Sequence, residues 1–355
     1  MQKSNEYYMA RCLEIAKSGL PAAMPNPSVG AVLVYNDNII GEGYTSAYGG
    51  PHGEVNAFAS VKNKELIKDA TLYVSLEPCS HYGKTPPCCD LVIAQQVKKV
   101  VVGMIDPFAK VAGNGIKRLQ EAGIAVTVGV LENECWEVNK RFFTYHQKKR
   151  PYVILKWAQT NNGFIAPLHK KKQEPIWITN TYTRQWVHKL RSEEQAILVG
   201  TQTVLADNPK LNTRDYNGKS PIRVILDQHL KIDASFHVLD NSVKTIIINK
   251  SVTKQDKNTY WETIDFNLPI ARQILNILYQ HNIQSVIIEG GTITLQTFID
   301  PNLWDEAFVC QGNMLNFEAG IKAPQLSGHI KQIQSLKNDS ITQYTNSSSN
   351  ASTNL

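Results

Sequence analysis

The chain alternates short apolar runs with segments whose apolar residues recur at helical spacing. Residues 4–18 place Tyr8, Cys12, Ile15 and Ala16 on one side of a helix. Residues 29–35 predict an apolar strand, Asn36-Asp37-Asn38 a hairpin turn, and residues 39–44 the returning strand. A helix starts near His52 and carries Val55, Ala57, Phe58 and Val61. Strand 70–76, the loop SHYGKTPP, helix 88–95, strand 98–104, helix 115–122 and strand 124–128 follow. The polar run QKKRP at 147–151 stops this pattern and marks a boundary. Beyond it lie strand 152–157, helix 181–191, strands 196–200, 222–226 and 243–249, helix 271–281 and strand 285–289. Such alternation predicts α/β units, each a sheet with helices on its faces. Residues 337–355 end in NSSSNASTNL, with too little apolar matter to fold. The expected organisation is one domain over 1–148, a second over 149–336, and a disordered polar tail over 337–355.

Composition narrows the class. The 355 residues are enough for two ordinary domains, and 42% hydrophobic with 19% charged residues suits a globular protein. The net charge of +6 is mild. Its lysines form only short runs, Lys148-Lys149-Arg150 and Lys170-Lys171-Lys172, which read as solvated faces or linker. They are not interleaved with aromatics as a nucleic-acid platform would be, so a nucleic-acid partner is not expected. The opening residues lack the basic-then-apolar layout of a secretory signal. No apolar run reaches the roughly 18 residues of a membrane span. The expected location is the cytoplasm, and six cysteines in so long a chain are then reduced thiols rather than a disulfide framework.

Three elements carry chemistry: His52-Gly53-Glu54, Pro78-Cys79, and Cys88. His-x-Glu followed by Pro-Cys and a further Cys is the pattern of zinc deaminases, here with the cysteines nine positions apart instead of three. Two thiolates and one imidazole hold Zn²⁺ and leave a fourth position open to water. Glu54 is then free to move protons between that water, the ring nitrogen and the leaving ammonia. The competing reading is a structural zinc site completed by Cys89 or His81. Adjacent cysteines at a helix start point in different directions, which argues against Cys88 and Cys89 sharing one ion.

The run LEPCSHYGKTPPCCD (76–90), with PNPSVGAVLV (25–34) and HGE, resembles the bifunctional riboflavin-biosynthesis deaminase–reductases. The likeness extends over about residues 5–330. It implies an N-terminal cytidine-deaminase-like α/β/α domain followed by a dihydrofolate-reductase-like α/β domain. The first would deaminate a diaminopyrimidine ribosylamine 5′-phosphate with one Zn²⁺ per chain. The second would reduce the ribosyl chain to ribityl with NADPH. The resemblance also implies a homo-oligomer acting on a small phosphorylated pyrimidine, with no membrane.

It further implies that Asn26 binds the pyrimidine and that His81 and Lys84 bind the 5′-phosphate. In the second half it rests on Lys156, Gly163, Trp177-Ile178-Thr179, Val199-Gly200, Thr203 to Pro209, Asp227 and Glu289-Gly290-Gly291-Thr292, among others. There Arg191, Leu211, Arg214 and Glu289 would contact substrate. Gln159, Trp177, Thr203, Asp207, Gly291, Thr292, Ile293, Thr294, Leu295, Gln296 and Thr297 would line the cofactor. The chain departs from the family where His-Ala-Glu is usual (Gly53), where a histidine is frequent (Thr45), at Phe108-Ala109, at Asn162 in place of an aspartate, and at Gln228 in place of a serine. The rival readings are a deaminase with an idle second domain, and a nucleic-acid-editing deaminase.

Overall fold

The computed structural model describes residues 3–82, 86–107 and 112–346. The chain divides into two compact units, Met1–Lys148 and Lys149–Leu355.

In the first unit, Ser4 accepts the Tyr7 N–H to start helix α1 (Asn5–Ser18), which buries Tyr8, Met9, Cys12, Leu13, Ile15 and Ala16. Strands β1 (Gly30–Tyr35) and β2 (Asn38–Tyr44) form a hairpin. Its two turn residues, Asn36 and Asp37, have φ of 47° and 59°, the left-handed region that asparagine and aspartate tolerate. Helix α2 (Gly53–Ser60), β3 (Thr71–Val74), α3 (Cys88–Ala94), β4 (Lys99–Val102), α4 (Asn114–Glu121), β5 (Ala125–Val128) and α5 (Glu132–Lys148) complete the unit. The sheet order is β2-β1-β3-β4-β5. β3, β4 and β5 run parallel, and β1 is antiparallel to β3. The parallel arrangement brings the chain off the ends of β3 and β4 on one side of the sheet, where the chemistry-bearing loops gather.

The second unit is built on a ten-stranded sheet. Its elements begin with β6 (Tyr152–Thr160), β7 (Phe164–Pro167), α6 (Thr181–Glu193), β8 (Ala196–Gly200), α7 (Thr201–Asp207) and β9 (Ile222–Leu226). Then come β10 (Thr245–Asn249), β11 (Lys254–Asp256), β12 (Thr259–Thr263), α8 (Ile270–Gln280), β13 (Ser285–Glu289) and α9 (Thr292–Ile299). The last are β14 (Glu306–Gly312), β15 (Gly320–Lys322), β16 (His329–Leu336) and β17 (Asp339–Thr345). The order is β11-β12-β10-β9-β8-β13-β6-β14-β17-β16, parallel from β12 to β14. Central strands such as AILVG and SVIIE are buried along their whole length, as strands covered on both faces must be.

The disordered tail expected from residue 337 is corrected. Residues 339–345 form β17, paired antiparallel with β14 from Glu306↔Thr345 to Gln311↔Ser340. The segment reads as polar, but several of its polar groups find partners within the fold. Buried Asp339 accepts from the Asn180 N–H and the Thr183 hydroxyl, both at 2.7 Å, and Asn346 donates to the Trp304 carbonyl at 2.8 Å. Residues 347–355 lie outside the described residues.

Candidate functional sites

Helix starts assemble the first site. His52 is the N-cap of α2, Glu54 lies in that helix's first turn, and Cys88 opens α3. Cys79 comes from the segment that follows β3. His52 Nδ1 lies 3.3 Å from Cys88 Sγ and 3.7 Å from Cys79 Sγ. The three ligand atoms all lie within 4.8 Å of one another. A tetrahedral zinc with bonds of about 2.0–2.3 Å needs donor atoms roughly 3.5 Å apart. The donor set and its spacing therefore fit the ion. The Cys88 backbone N–H donates to Cys79 Sγ at 3.3 Å, so the helix start faces the thiolate. The Cys88 thiol, also donating to Cys79, pulls the Cys79 thiol well below its usual range and is itself pushed up.

Glu54 is 3% exposed. Burial, then the Cys79 charge, pushes its carboxyl up to about 7. A carboxyl poised near neutrality can both take and return a proton. Cys89 is fully buried with its thiol toward Asp90 Oδ1 at 3.7 Å, outside the His–Cys–Cys trio. His81 is exposed, Asn26 is half-buried, and Lys84 lies outside the described residues.

Two departures from the family meet at Val29. Thr45 Oγ1 accepts the Val29 N–H at 2.9 Å, and the Thr45 N–H donates to the Val29 carbonyl at 3.0 Å. A Cβ on Gly53 would stand 2.5 Å from that same carbonyl, so no alanine fits there without backbone movement. Sequence reasoning missed two further buried supports. Asn139 accepts the Ser28 N–H at 2.8 Å and donates to the Ser28 carbonyl at 2.9 Å, fixing the segment that bears Asn26. Glu77, beside Pro78-Cys79, accepts backbone N–H groups of Asp106, Gly113, Gly115 and Ile116 at 2.8–3.4 Å. A carboxylate holding four amides ties the segment that carries Cys79 to the start of α4.

The second unit holds a cleft of about 1440 Å³. Lys156, Trp177, Arg191, Thr203, Asp207, Leu211, Arg214, Glu289, Gly291, Thr292, Ile293, Thr294 and Thr297 all line it. Glu289 ends β13 and is held by Arg191 (2.8 Å) and Lys156 (3.9 Å). Burial acts to raise its carboxyl, but the Arg191 and Lys156 charges outweigh it and hold the group down at about 2. Gly290 has φ of 117°, and a Cβ there would approach Thr203 Oγ1 to 2.7 Å; one on Gly200 would approach Thr294 Oγ1 to 2.5 Å. The start of α9 carries no side-chain cap, and the Gly291 N–H donates to Thr203. A bare glycine cradle at a helix start fits a dinucleotide phosphate.

Three residues expected at the cofactor are absent from the cleft lining. Leu295 is fully buried in the hydrophobic core with Phe298, because α9 turns one face inward and shows Ile293, Thr294 and Thr297 to the cleft. Gln296 bonds Asp300 and the Gln325 backbone. Gln159 accepts the Trp157 indole N–H at 2.8 Å and does not line the cleft. The lysine run 170–172, read as a solvated face or linker, keeps Lys171 and Lys172 exposed at the rim of the cleft, with Lys170 paired to Asp207. Asn162 donates to the Phe317 carbonyl at 2.7 Å, a bond an aspartate could not make. Asp227 is a support: it accepts from Thr201 and from the Ile232 N–H. Gln228 lines the cleft.

A His–Cys–Cys trio with a buried glutamate on this sheet defines a zinc-dependent deaminase of the cytidine-deaminase type, joined to a reductase unit with a dihydrofolate-reductase-like fold. Comparison with known proteins agrees for both units. Residues 2–104 match the cytidine and deoxycytidylate deaminase zinc-binding region, and residues 151–345 match the RibD C-terminal domain. The riboflavin biosynthesis protein RibD of Aquifex aeolicus is 39% identical over 317 residues, 87% of each chain. That of Escherichia coli is 36% identical over 325 residues, 86% of each. The crystal structure of the Thermotoga maritima diaminohydroxyphosphoribosylaminopyrimidine deaminase/5-amino-6-(5-phosphoribosylamino)uracil reductase superposes with a TM-score of 0.86 at 35% identity, covering 96% of this chain and 98% of that one. The chain belongs to the RibD family of bifunctional riboflavin-biosynthesis enzymes, a zinc-dependent deaminase and an NADPH-dependent reductase in one polypeptide.

Proposed function

We propose that the first unit deaminates 2,5-diamino-6-ribosylamino-4(3H)-pyrimidinone 5′-phosphate and that the second reduces the product to 5-amino-6-ribitylamino-uracil 5′-phosphate. The observation that carries this reading is the placement of buried Glu54 with the His52–Cys79–Cys88 trio. His52, Cys79 and Cys88 would hold one zinc per chain, which would supply Lewis-acid activation of water. Glu54 takes one proton from the attacking water and passes it to the ring nitrogen, then carries the second from the added hydroxyl to the amino group as the C–N bond breaks. Water oxygen stays on the ring carbon, and ammonia leaves. Asn26 orients the pyrimidine, and His81 and Lys84 take the 5′-phosphate.

In the second unit Arg191 and Arg214 grip the sugar phosphate, with Leu211 and Glu289 completing the substrate face. Trp177, Thr203, Asp207, Gly291, Thr292, Ile293, Thr294 and Thr297 line the NADPH site. NADPH held there would supply the hydride chemistry that converts the ribosyl group to ribityl at C1′. The partners are therefore small phosphorylated pyrimidines and not nucleic acid. Among the described residues no helix is long and apolar enough to cross a membrane. A homo-oligomer working in the cytoplasm completes the proposal.

The test supplies the diaminopyrimidine nucleotide with and without NADPH and identifies products by mass. The expected result is ammonia release in both cases, with two further hydrogens in the product only when NADPH is present. Ammonia release without any NADPH oxidation would point to an idle second unit.

A further inference from the structure

Helix α6 presents Arg184, His188 and Arg191 toward the cleft as one stripe, since residues spaced four and then three apart share a helix face. The two arginines have evident partners, whereas His188 has no part in the reading above. It is 1% exposed, yet it belongs to the cleft wall. Its Nδ1 lies 3.2 Å from the Arg214 backbone nitrogen and accepts that N–H. The remaining ring N–H is then on Nε2, which faces Asp215 Oδ2 at 3.5 Å; the same oxygen is ion-paired with Arg184, whose Nε lies 2.7 Å away.

The loop bearing Arg214 is pinned position by position. Asn208 Oδ1 accepts the His237 N–H at 2.9 Å, and the Lys210 carbonyl accepts Arg223 Nε at 3.0 Å. The Asn212 carbonyl accepts from Arg191, while its side chain accepts from Arg214. The Thr213 N–H donates to Ser220 at 3.1 Å. His188 holds the next amide, that of Arg214 itself.

We propose that His188 is a positioning residue of the reductase: by accepting the Arg214 backbone N–H it holds Arg214 beside Arg191 as a paired grip on the substrate phosphate. This rests on the reading of Arg191 and Arg214 as phosphate contacts. The role requires an unprotonated acceptor. The charged groups facing the ring are Arg184, Arg191 and Arg214 on one side and Asp215 and Glu289 on the other. Burial, reinforced by the Arg191 and Arg214 charges, brings the imidazole down to about 4. It is therefore neutral where enzymes ordinarily work. A glutamine would carry its amide out toward Asp215 and leave the Arg214 N–H without an acceptor, whereas asparagine places Oδ1 where Nδ1 stands.

The experiment compares full-length wild type, His188→Asn, His188→Gln and Arg214→Ala, measuring NADPH oxidation with the deaminated phosphorylated substrate. Ammonia release from the same preparations reports on the deaminase. His188→Gln should raise KM for the phosphorylated substrate about tenfold, while kcat and KM for NADPH stay within about twofold, as loss of uniform binding predicts. His188→Asn should stay within about threefold of wild-type KM, the rescue that a bulk packing role would not give. Equal behaviour of the Asn and Gln variants, or parallel loss of kcat and of NADPH affinity, would overturn the proposal. If Arg214→Ala raises the substrate KM and His188→Gln does not, His188 alone is refuted. If Arg214→Ala leaves the substrate KM unchanged, the phosphate reading fails and the proposal falls with it.

Discussion

Glu54 is the residue whose chemistry depends most directly on its surroundings. It is buried, lies in the first turn of a helix whose N-cap is His52 of the proposed zinc site, and has a carboxyl near neutrality. Glu54→Gln keeps the shape and every ligand but cannot accept a proton. The expected outcome is full zinc content with deamination slowed on the order of 10²–10⁴-fold; near-normal ammonia release from zinc-loaded protein would remove Glu54 from the proton path. Gly53 invites the opposite kind of change. An alanine Cβ would press on the Val29 carbonyl, which is backbone and cannot swing away. Gly53→Ala should therefore shift His52 and Glu54 together and reduce deamination by at least about tenfold, with NADPH oxidation unaffected. Unchanged ammonia release would show that the β1 end yields more readily than the geometry indicates. The trio and its glutamate were legible in the sequence because they sit in short motifs with characteristic spacing. The Val29 junction was not: it joins residues 16 positions apart through Thr45, and nothing local in either segment announces the other. The Glu77 and Asn139 clamps were hidden for the same reason, each reaching backbone groups far along the chain.

At the scale of elements, the start of α3 separates two adjacent cysteines. Cys88 belongs to the trio with His52 and Cys79, whereas Cys89 packs into the core. Cys79→Ser or Cys88→Ser should empty the site, while Cys89→Ser should retain zinc, as metal analysis of purified protein can decide. Zinc loss from Cys89→Ser would revive the structural-site reading. Helix α6 makes a different prediction through His188. Its unfolded imidazole titrates near 6.5, and its folded one near about 4. Between those values the unfolded chain binds the additional proton, so this contribution to stability is lost as pH falls from about 6.5 toward 4. Denaturant unfolding of His188→Asn beside wild type should show a shallower decline across that window. An identical pH slope would mean that the buried ring does not titrate as its surroundings dictate. The central strands of both sheets were legible because strands covered on both faces must be apolar throughout. The β16–β17 pair was not: β16 is exposed almost along its length, and β17 alternates polar groups whose partners lie on β14 and α6.

At the scale of the molecule, two compact units meeting at Lys148–Lys149 suggest two separable activities. The first unit contains the His52–Cys79–Cys88 trio and Glu54, and its own hydrophobic cluster runs from Tyr8 to Phe143. The second contains the cleft with both arginines and the glycine cradle, over two clusters of its own on the faces of its sheet. Each unit thus has the core that independent folding requires. Where the second unit is cut decides whether that independence can be observed. A fragment ending at Leu336 removes β17 and leaves β16 with no strand to pair with. It also exposes the edge of β14, and it deprives the start of α6 of the Asp339 carboxylate that accepts from Asn180 and Thr183. An unpaired strand edge beside a buried core promotes association. A fragment of residues 149–346 keeps all of these contacts. It should oxidise NADPH with the deaminated product at a rate within a few-fold of the full chain, whereas 149–336 should aggregate or lose its cooperative thermal transition. Activity assays with size-exclusion chromatography on both fragments decide the matter. A soluble, active 149–336 fragment would mean that β17 is dispensable. An inactive but folded 149–346 fragment would show that the reductase depends on the first unit.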